Sequence, residues 1–291
     1  MELPDAPERI VSQPAGCLYL VATPIGNLED ITVRALRVLG EADLIACEDT
    51  RHTAKLLNHY AIRKPTISYH EHNEVTRSAE LVLRMEEGAR VALVSDAGTP
   101  GVSDPSYRLV SLCLRHHVPV VPIPGPSALI AALVASGLPV DEFLFVGFLP
   151  PRTGERRKAL DRFAIEPRTL VIYEAPHRLT GTLTDALDRL GRRPAVIARE
   201  LTKVHEEFLR GDLAELLVRT SQKPARGEIT LLIGAASPGE GVHSADAPPL
   251  HARVEQIIRE QSLDRKSALK LAARERGLTK REAYKQLLAD R

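Results

Sequence analysis

From Cys17 onward, short apolar runs of strand length alternate with longer amphipathic runs, and this alternation restricts the fold more than any other feature. The strand-like runs are CLYLVAT, DLIAC, TISYH, VALVSD, PVVPIPG and FLFVGF. Between them lie TVRALRVLGEA, RHTAKLLNHY, EVTRSAELVLRM and PSALIAALVASG, whose apolar positions recur at helical spacing. Strands separated by helices are joined by crossovers, so the chain is predicted to be α/β with a largely parallel sheet.

At Leu149 to Glu155 the sequence LPPRTGE breaks the rhythm and marks a domain boundary. A flexible segment over 1–16 precedes a first α/β domain over 17–150. A second α/β domain with a mixed sheet follows over 151–236, built from TLVIYEA, PAVIARE, EITLLIG and the helical runs between them. Its strands are expected to be fewer and more exposed. A polar linker over 237–249 resists packing. The last segment, 250–291, carries three helical stripes: Val254, Ile257 and Ile258; Ala268, Leu271 and Ala272; and Tyr284, Leu287 and Leu288. Gly277 is placed to end the second helix, and Thr279 with Glu282 forms a capping-box pattern for the third. This is a small domain of helix-turn-helix type.

Composition narrows the function. With 291 residues, 44% of them hydrophobic, the chain can build two or three cores, which excludes a disordered or fibrous protein. No apolar run approaches the roughly 20 residues that span a bilayer, and the first residues lack a signal-peptide pattern, so a cytoplasmic protein with no membrane partner is expected. Cys17, Cys47 and Cys113 are far apart and show no CxxC spacing, which fits buried small hydrophobes. Tryptophan is absent and aromatics make up 4%, which argues against base stacking on an aromatic platform. The net charge of +1 hides an asymmetry: the chain from His251 holds 11 Lys/Arg against 6 Asp/Glu, which leaves the body mildly acidic. A basic tail on such a body suggests a polyanionic partner.

Three stretches could build a ligand site. VALVSDAGTPGVSDP delivers a strand into a loop in which Gly98 and Gly101 permit unusual backbone angles and Asp96, Thr99, Ser103 and Asp104 present polar groups. Such loops at strand carboxyl ends are where open α/β sheets bind ligands. PIPGPSALIAAL brings Ser127 to the first turn of a helix, where free N–H groups suit an anionic group such as the carboxylate of an amino-acid cofactor. LVATPIGNLEDIT has a rigid Thr23-Pro24 turn as a cleft wall, but its single glycine fails the G-x-G-x-x-G pattern, which argues against NAD(P).

ATPIGNLEDIT, CEDTRHT, SDAGTPGVSDP, PGPSA, GFLP, YEAPHR and ARELTKVHEE, in this order and spacing, resemble the bacterial ribosomal RNA 2′-O-methyltransferase family within the tetrapyrrole methylase superfamily. The likeness runs from about Leu18 to Gly234, and the tail resembles that family's helix-turn-helix extension. The resemblance implies two α/β domains with S-adenosylmethionine in the cleft between them, a homodimer, and a cytidine ribose in the decoding region of 16S ribosomal RNA, within the small ribosomal subunit, as the target. It places the cofactor against Asp96, Gly98, Thr99, Ser127 and Ala128, with Tyr173, Glu174 and Ala175 brought from the second domain; Pro24 belongs to the cleft wall.

A ribose hydroxyl is a weak nucleophile that a nearby base would help. Asp49, His70, His72 and Glu174 are chemically able, and the sequence does not choose among them. On a strand, His70 and His72 would share a face, yet no third metal ligand is identifiable, so no metal site is assigned. Arg51, His177, Arg178 and Arg199 could contact phosphate or serve helix entries. Arg156 and Arg157 could do the same or form a solvated helix face, and Lys266, Lys270, Arg274, Lys280 and Arg281 in the tail favour RNA. Two other functions remain open: a methylase of corrin or porphyrin precursors, which leaves the basic tail unexplained, and a non-catalytic RNA-binding ribosome-assembly factor, for which the polar loop groups would have no use.

Overall fold

The protein was analysed as a computed structural model, which describes residues 16–223, 225–236, 250–261, 263–275 and 283, apart from the side chains of Gln261, Arg274 and Glu275. Two compact units divide at Ala128 and Leu129.

The first unit holds β1 (Cys17–Val21), β2 (Leu44–Cys47), β3 (Thr66–Ser68), β4 (Arg90–Val94) and β5 (Val120–Ile123) in one sheet of order β3-β2-β4-β1-β5. Every pairing in it is parallel. Side chains alternate across each strand, so each face needs its own cover. Cys17, Tyr19, Val21, Ile45 and Ala92 pack with α1 (Val33–Glu41) and α2 (Thr50–His59) through Ala35, Val38, Leu39, Leu56 and Leu57. Leu18, Leu44, Val91 and Leu93 pack on the other side with α3 (Glu74–Glu86) and α4 (Tyr107–Arg115), through Leu81, Val82, Met85, Leu109 and Cys113. Burial of both faces explains why these strands read as continuous apolar runs. All three cysteines are free and buried.

The strand order has a functional consequence. From β1 the chain crosses by α1 to β2 on one side, and from β4 it crosses by α4 to β5 on the other. Since β1 and β4 are neighbours, their loops leave in opposite directions and open a crevice at their carboxyl ends.

The second unit carries β6 (Phe143–Phe148), β7 (Thr169–Glu174), β8 (Pro194–Arg199), β9 (Glu207–Asp212) and β10 (Ile229–Ile233) in the order β6-β7-β10-β8-β9. Only β6 with β7 is parallel, so the sheet is mixed. This sheet has as many strands as the first, and β10 is buried along its whole length, contrary to the expectation of fewer, more exposed strands. Two strands account for the difference. β6 bonds to β7 and belongs here, and β9, with the polar sequence EFLRGD, lacks the apolar run that marks a strand. As an edge strand, β9 is held by its ladder to β8. Leu160 of α6 (Thr153–Asp161), Leu179, Leu183, Ala186 and Leu190 of α7 (Leu179–Leu190), and Leu213 and Leu216 of α8 (Leu213–Gln222) cover one face. A capping box starts α8: Asp212 accepts from the Glu215 N–H, and Glu215 accepts from the Asp212 N–H. α5 (Ala128–Ser136) opens the unit, and Arg210 of β9 donates to the carbonyls of Ala135 and Ser136 at its end.

In the tail, α9 (Leu250–Gln261) and α10 (Arg265–Glu275) close on a core of their own, Leu250, Val254, Ile257, Ala268, Leu269, Ala272, Ala273 and Ala283. The first two predicted stripes fall on this core. Gly277, Thr279, Glu282, Tyr284, Leu287 and Leu288 lie outside the described residues, as does the 237–249 linker.

Candidate active site

The crevice between β1 and β4 is bridged by backbone. Thr23 N–H donates to Gly98 O at 2.9 Å and Gly98 N–H to Thr23 O at 3.0 Å, an isolated antiparallel bridge between the two loops. The buried Thr23 hydroxyl donates to Ser95 O at 3.2 Å, which fixes the Thr23-Pro24 turn. Gly98 has φ +82°, and a Cβ there would lie 3.4 Å from Ile25 Cγ2. A side chain at this position would therefore meet backbone strain and would lie in contact with Ile25.

The β5 loop lies alongside. The Thr99 hydroxyl donates to Pro126 O at 3.2 Å, which ties the Gly98 loop to the Gly125-Pro126-Ser127 turn. Gly125 passes Ala22 so closely that a Cβ would sit 3.0 Å from the alanine Cβ. Ser127 immediately precedes α5, and Ala128 is its first residue, so the first-turn N–H groups begin here. One of them, on Leu129, donates to the Tyr173 hydroxyl at 3.2 Å. Tyr173 packs edge-on to Phe145 at the end of β7. The Pro24, Asp96, Gly98, Thr99, Ser127 and Ala128 positions, far apart in sequence, thus gather at one edge of the first sheet.

The four candidate bases fare differently. Asp49 caps α2, accepting from Arg51 N–H at 2.8 Å, and its carboxylate also holds the Arg51 guanidinium at 2.8 Å. Hydrogen bonds from the Arg51 side chain and backbone lower its pKa to about 2, which makes a poor proton acceptor. Glu174 is buried and engaged on both oxygens: Oε1 accepts from Ala175 N–H at 2.8 Å and pairs with Arg178 at 3.3 Å, and Oε2 accepts from the Thr182 hydroxyl at 2.5 Å. Those bonds fasten β7 to α7. His70 and His72 lie in the turn after β3, which ends at Ser68, and not on a strand. The His70 ring meets the Asn73 amide through Nε2 at 3.2 Å, and His72 is exposed. Among the described residues no cluster of three His, Cys, Asp or Glu could hold a metal ion.

The arginines divide in the same way. Arg156 and Asp185 form a buried pair, 2.6 Å apart with side chains 7% and 3% exposed, so this guanidinium is not offered to phosphate. Arg157 reaches the other oxygen of Asp185 at 2.7 Å and remains partly exposed. Arg178 donates to Leu149 O at 2.6 Å, and Arg199 pairs with Glu207 at 2.9 Å. Arg178 therefore braces the GFLP stretch instead of facing solvent. Arg51, 89% exposed, and the exposed His177, Lys266 and Lys270 are open to a partner. The side chain of Arg274, and Lys280 and Arg281 altogether, lie outside the described residues.

Glu48 was missed as a site residue, and Asp104 was named only among the polar groups of the β4 loop, without a role of its own. At Asp104, burial first, then the charges of Glu48 and Asp96, raise the pKa to about 6 against the pull of a Ser95 hydrogen bond. Burial likewise raises Glu48, with Asp96 and Glu71 adding to it. The available signal was that each follows or lies in a loop at a strand's carboxyl end; their meeting depends on β2 and β4 being neighbours.

A doubly wound parallel sheet with a glycine-lined crevice at its switch point is a small-molecule-binding α/β architecture. The family model for tetrapyrrole (corrin/porphyrin) methylases matches residues 17–217. Proteins named ribosomal RNA small subunit methyltransferase I from Synechocystis and Escherichia coli O157:H7 are 47% and 45% identical over 270 and 276 residues, covering 92% and 94% of this chain and 96% and 95% of theirs. One of the same name from Thermotoga maritima is 49% identical over 218 residues, 75% of this chain but 98% of that protein. Among solved structures, uroporphyrin-III C-methyl transferase from Thermus thermophilus complexed with S-adenyl homocysteine matches with a TM-score of 0.54 and 26% identity, over 75% of this chain and 97% of that one. Cobalt precorrin-4 methyltransferase, at 0.57 and 20% identity over 76% and 95%, shares the fold. The chain belongs to the tetrapyrrole methylases and, among them, to the ribosomal RNA small subunit methyltransferase I family.

Proposed function

We propose that this protein uses S-adenosylmethionine to methylate the ribose 2′-hydroxyl of a cytidine in 16S ribosomal RNA. The observation that carries this reading is identity of 47% over nearly the full length of both chains to an enzyme named for small-subunit ribosomal RNA. The crevice suits the cofactor. Gly98, at φ +82°, and Gly125, which passes close to Ala22, shape the loops at its edge, and Ser127 and Ala128 lead into the first turn of α5, where free N–H groups suit an amino-acid carboxylate.

When bound, S-adenosylmethionine supplies a methyl group on a sulfonium sulfur. The residues that would hold it are Pro24, Asp96, Gly98 and Thr99 along the β1 and β4 loops, Ser127 and Ala128 at the helix start, and Tyr173, Glu174 and Ala175 at the end of β7. Asp96 also accepts from Asp49 N–H at 3.1 Å, so the loop that meets the cofactor is braced against α2. Methyl transfer is an in-line displacement, and a rigid set of loops contributes chiefly by orientation. Arg51, Arg157, Lys266 and Lys270 are exposed cations offered to RNA phosphates, with His177 an exposed polar group beside them in this reading, and the homodimer and cytoplasmic location belong to the same proposal; no helix among the described residues is long and apolar enough to cross a membrane.

The test is incorporation of labelled methyl from S-adenosylmethionine into small ribosomal subunits, followed by nucleoside analysis. Label recovered as 2′-O-methylcytidine is the expected result. Label on a base, or none in RNA, counts against it.

A further inference from the structure

β6 is an edge strand whose apolar sequence FLFVGF ends in a ring left open to solvent, Phe148, 57% exposed. Its ladder pairs Phe145 with Val171 and Phe148 with Tyr173, and the register shifts at Val146, between Phe145 and Gly147. In an unbroken strand Phe145 and Phe148 would point to opposite faces. The extra residue turns Phe148 to the face of Phe145, opposite Tyr173, and Gly147 takes φ +71° at the shift, which glycine adopts without strain. The Tyr173 ring then lies 5.1 Å from that of Phe145 and 5.7 Å from that of Phe148. With only five Phe and six Tyr in the chain, the fold concentrates here what composition leaves scarce. We propose that an unpaired base of the RNA substrate stacks on the Phe148 ring, with Arg152 and Lys158 meeting the adjoining phosphates. This rests on the functional reading above and adds the contact that holds the strand.

Three observations favour a nucleotide over another occupant. First, the ring is held in place. The Tyr173 hydroxyl accepts from Leu129 N–H at 3.2 Å, which ties it to the first turn of α5. Directly after Phe148, the Arg178 guanidinium donates to Leu149 O at 2.6 Å and to Pro150 O at 3.2 Å. A ring already ordered loses little further freedom when a base covers it. Second, its surroundings are cationic. The side chain of Arg152, at the N-cap of α6, is 83% exposed with a loose pairing to Glu155 at 3.5 Å, and Lys158 is exposed on the same helix. Arg152 follows Phe148 by four residues, at most about 13 Å of extended chain, so a phosphate next to a stacked base is within its reach. Aromatic rings beside cations are how single strands are held. Third, the patch does not suit a second copy of this chain. A phenylalanine buries about 150–250 Å², against about 800 Å² on each partner of a stable interface. The bulge at Val146 also interrupts the edge that strand pairing between copies would use.

Every base has a π-face, so this contact fixes where the strand lies and leaves the choice of nucleotide to other groups.

The experiment uses the full-length protein and small ribosomal subunits, and measures equilibrium binding by filter retention together with KM and kcat for methyl transfer. Phe148→Ala should raise both Kd and KM for subunits by roughly 10- to 100-fold. Its kcat at saturation should stay within about threefold. Phe148→Leu keeps apolar bulk against Tyr173 and lacks the ring; it should lose roughly tenfold or more, and it serves as the comparison should the alanine variant fail to fold. Phe148→Trp, which restores a π-face, should bind within about threefold of the wild type. Affinity for S-adenosylmethionine by calorimetry, and oligomeric state by sedimentation, should not change in any variant. Unchanged subunit binding in Phe148→Ala, or Phe148→Leu binding as the wild type does, overturns the proposal. So does cofactor affinity that falls as far as RNA affinity, which would put the cofactor on this ring, or an altered oligomeric state, which would make it a subunit contact. A wild type that binds subunits through Phe148 yet methylates no ribose overturns the functional reading alone; a wild type that methylates ribose with Phe148 dispensable overturns the stacking site alone.

Discussion

The Thr99 hydroxyl donates to the carbonyl of Pro126 across 27 residues of sequence, and through that bond the β4 and β5 loops act as one wall. The same wall holds Gly98 at φ +82° beside Ile25. Thr99→Val keeps the shape and removes the donor, so it should destabilise the protein by about 1 kcal/mol. If the wall holds S-adenosylmethionine, affinity should fall by roughly 3- to 10-fold. Calorimetry at fixed pH reads the second effect, and an unchanged affinity would remove this loop from the cofactor site.

Asp185 serves two arginines from beneath the surface. Asp185→Ala strands the buried Arg156 without a counter-charge and should lower stability by about 3–5 kcal/mol in denaturant titration. Arg157→Ala removes a half-exposed partner and should lower it by about 1 kcal/mol or less. Equal effects would mean that the buried pair is not what joins α6 to α7.

Asp104 predicts a pH dependence of stability with a definite sign. Its pKa in the folded protein, about 6, lies above the ordinary aspartate value of 3.8, because folding favours the protonated form. The stabilising contribution is complete below the ordinary value and is lost as pH rises through about 6. Asp104→Asn, which cannot ionise, should therefore melt at a higher temperature than the wild type at neutral pH and above. The gap should close as acid is added. A variant less stable than the wild type at neutral pH contradicts this electrostatic account.

The tail closes on its own core, and the Thermotoga maritima relative is matched over 98% of its length by 75% of this chain. A protein ending at residue 236 should therefore fold and bind S-adenosylmethionine as the full chain does. Removing Lys266, Lys270 and their neighbours should weaken RNA binding and flatten its salt dependence, by roughly 0.7–0.9 in log–log slope for each phosphate no longer neutralised. Filter binding at several salt concentrations measures that slope. An identical slope would show that the tail neutralises no phosphate.

The alternation of buried runs from Cys17 determined the α/β class by itself, because a strand covered on both faces must be apolar throughout and a crossover helix must be amphipathic. The glycines at 98 and 125 were legible for a similar local reason: each sits where a backbone turns or passes closely. The edge strand β9 was not, since EFLRGD buries little and is a strand only because β8 pairs with it. Nor could local sequence show that Arg156 and Arg178 face inward, as their partners Asp185 and Leu149 are 29 residues away in each case. The gathering of Glu48, Asp96 and Asp104 was settled by tertiary structure alone: strand order places β2 beside β4, and charge repulsion at a distance set by the sheet is invisible to any reading along the chain.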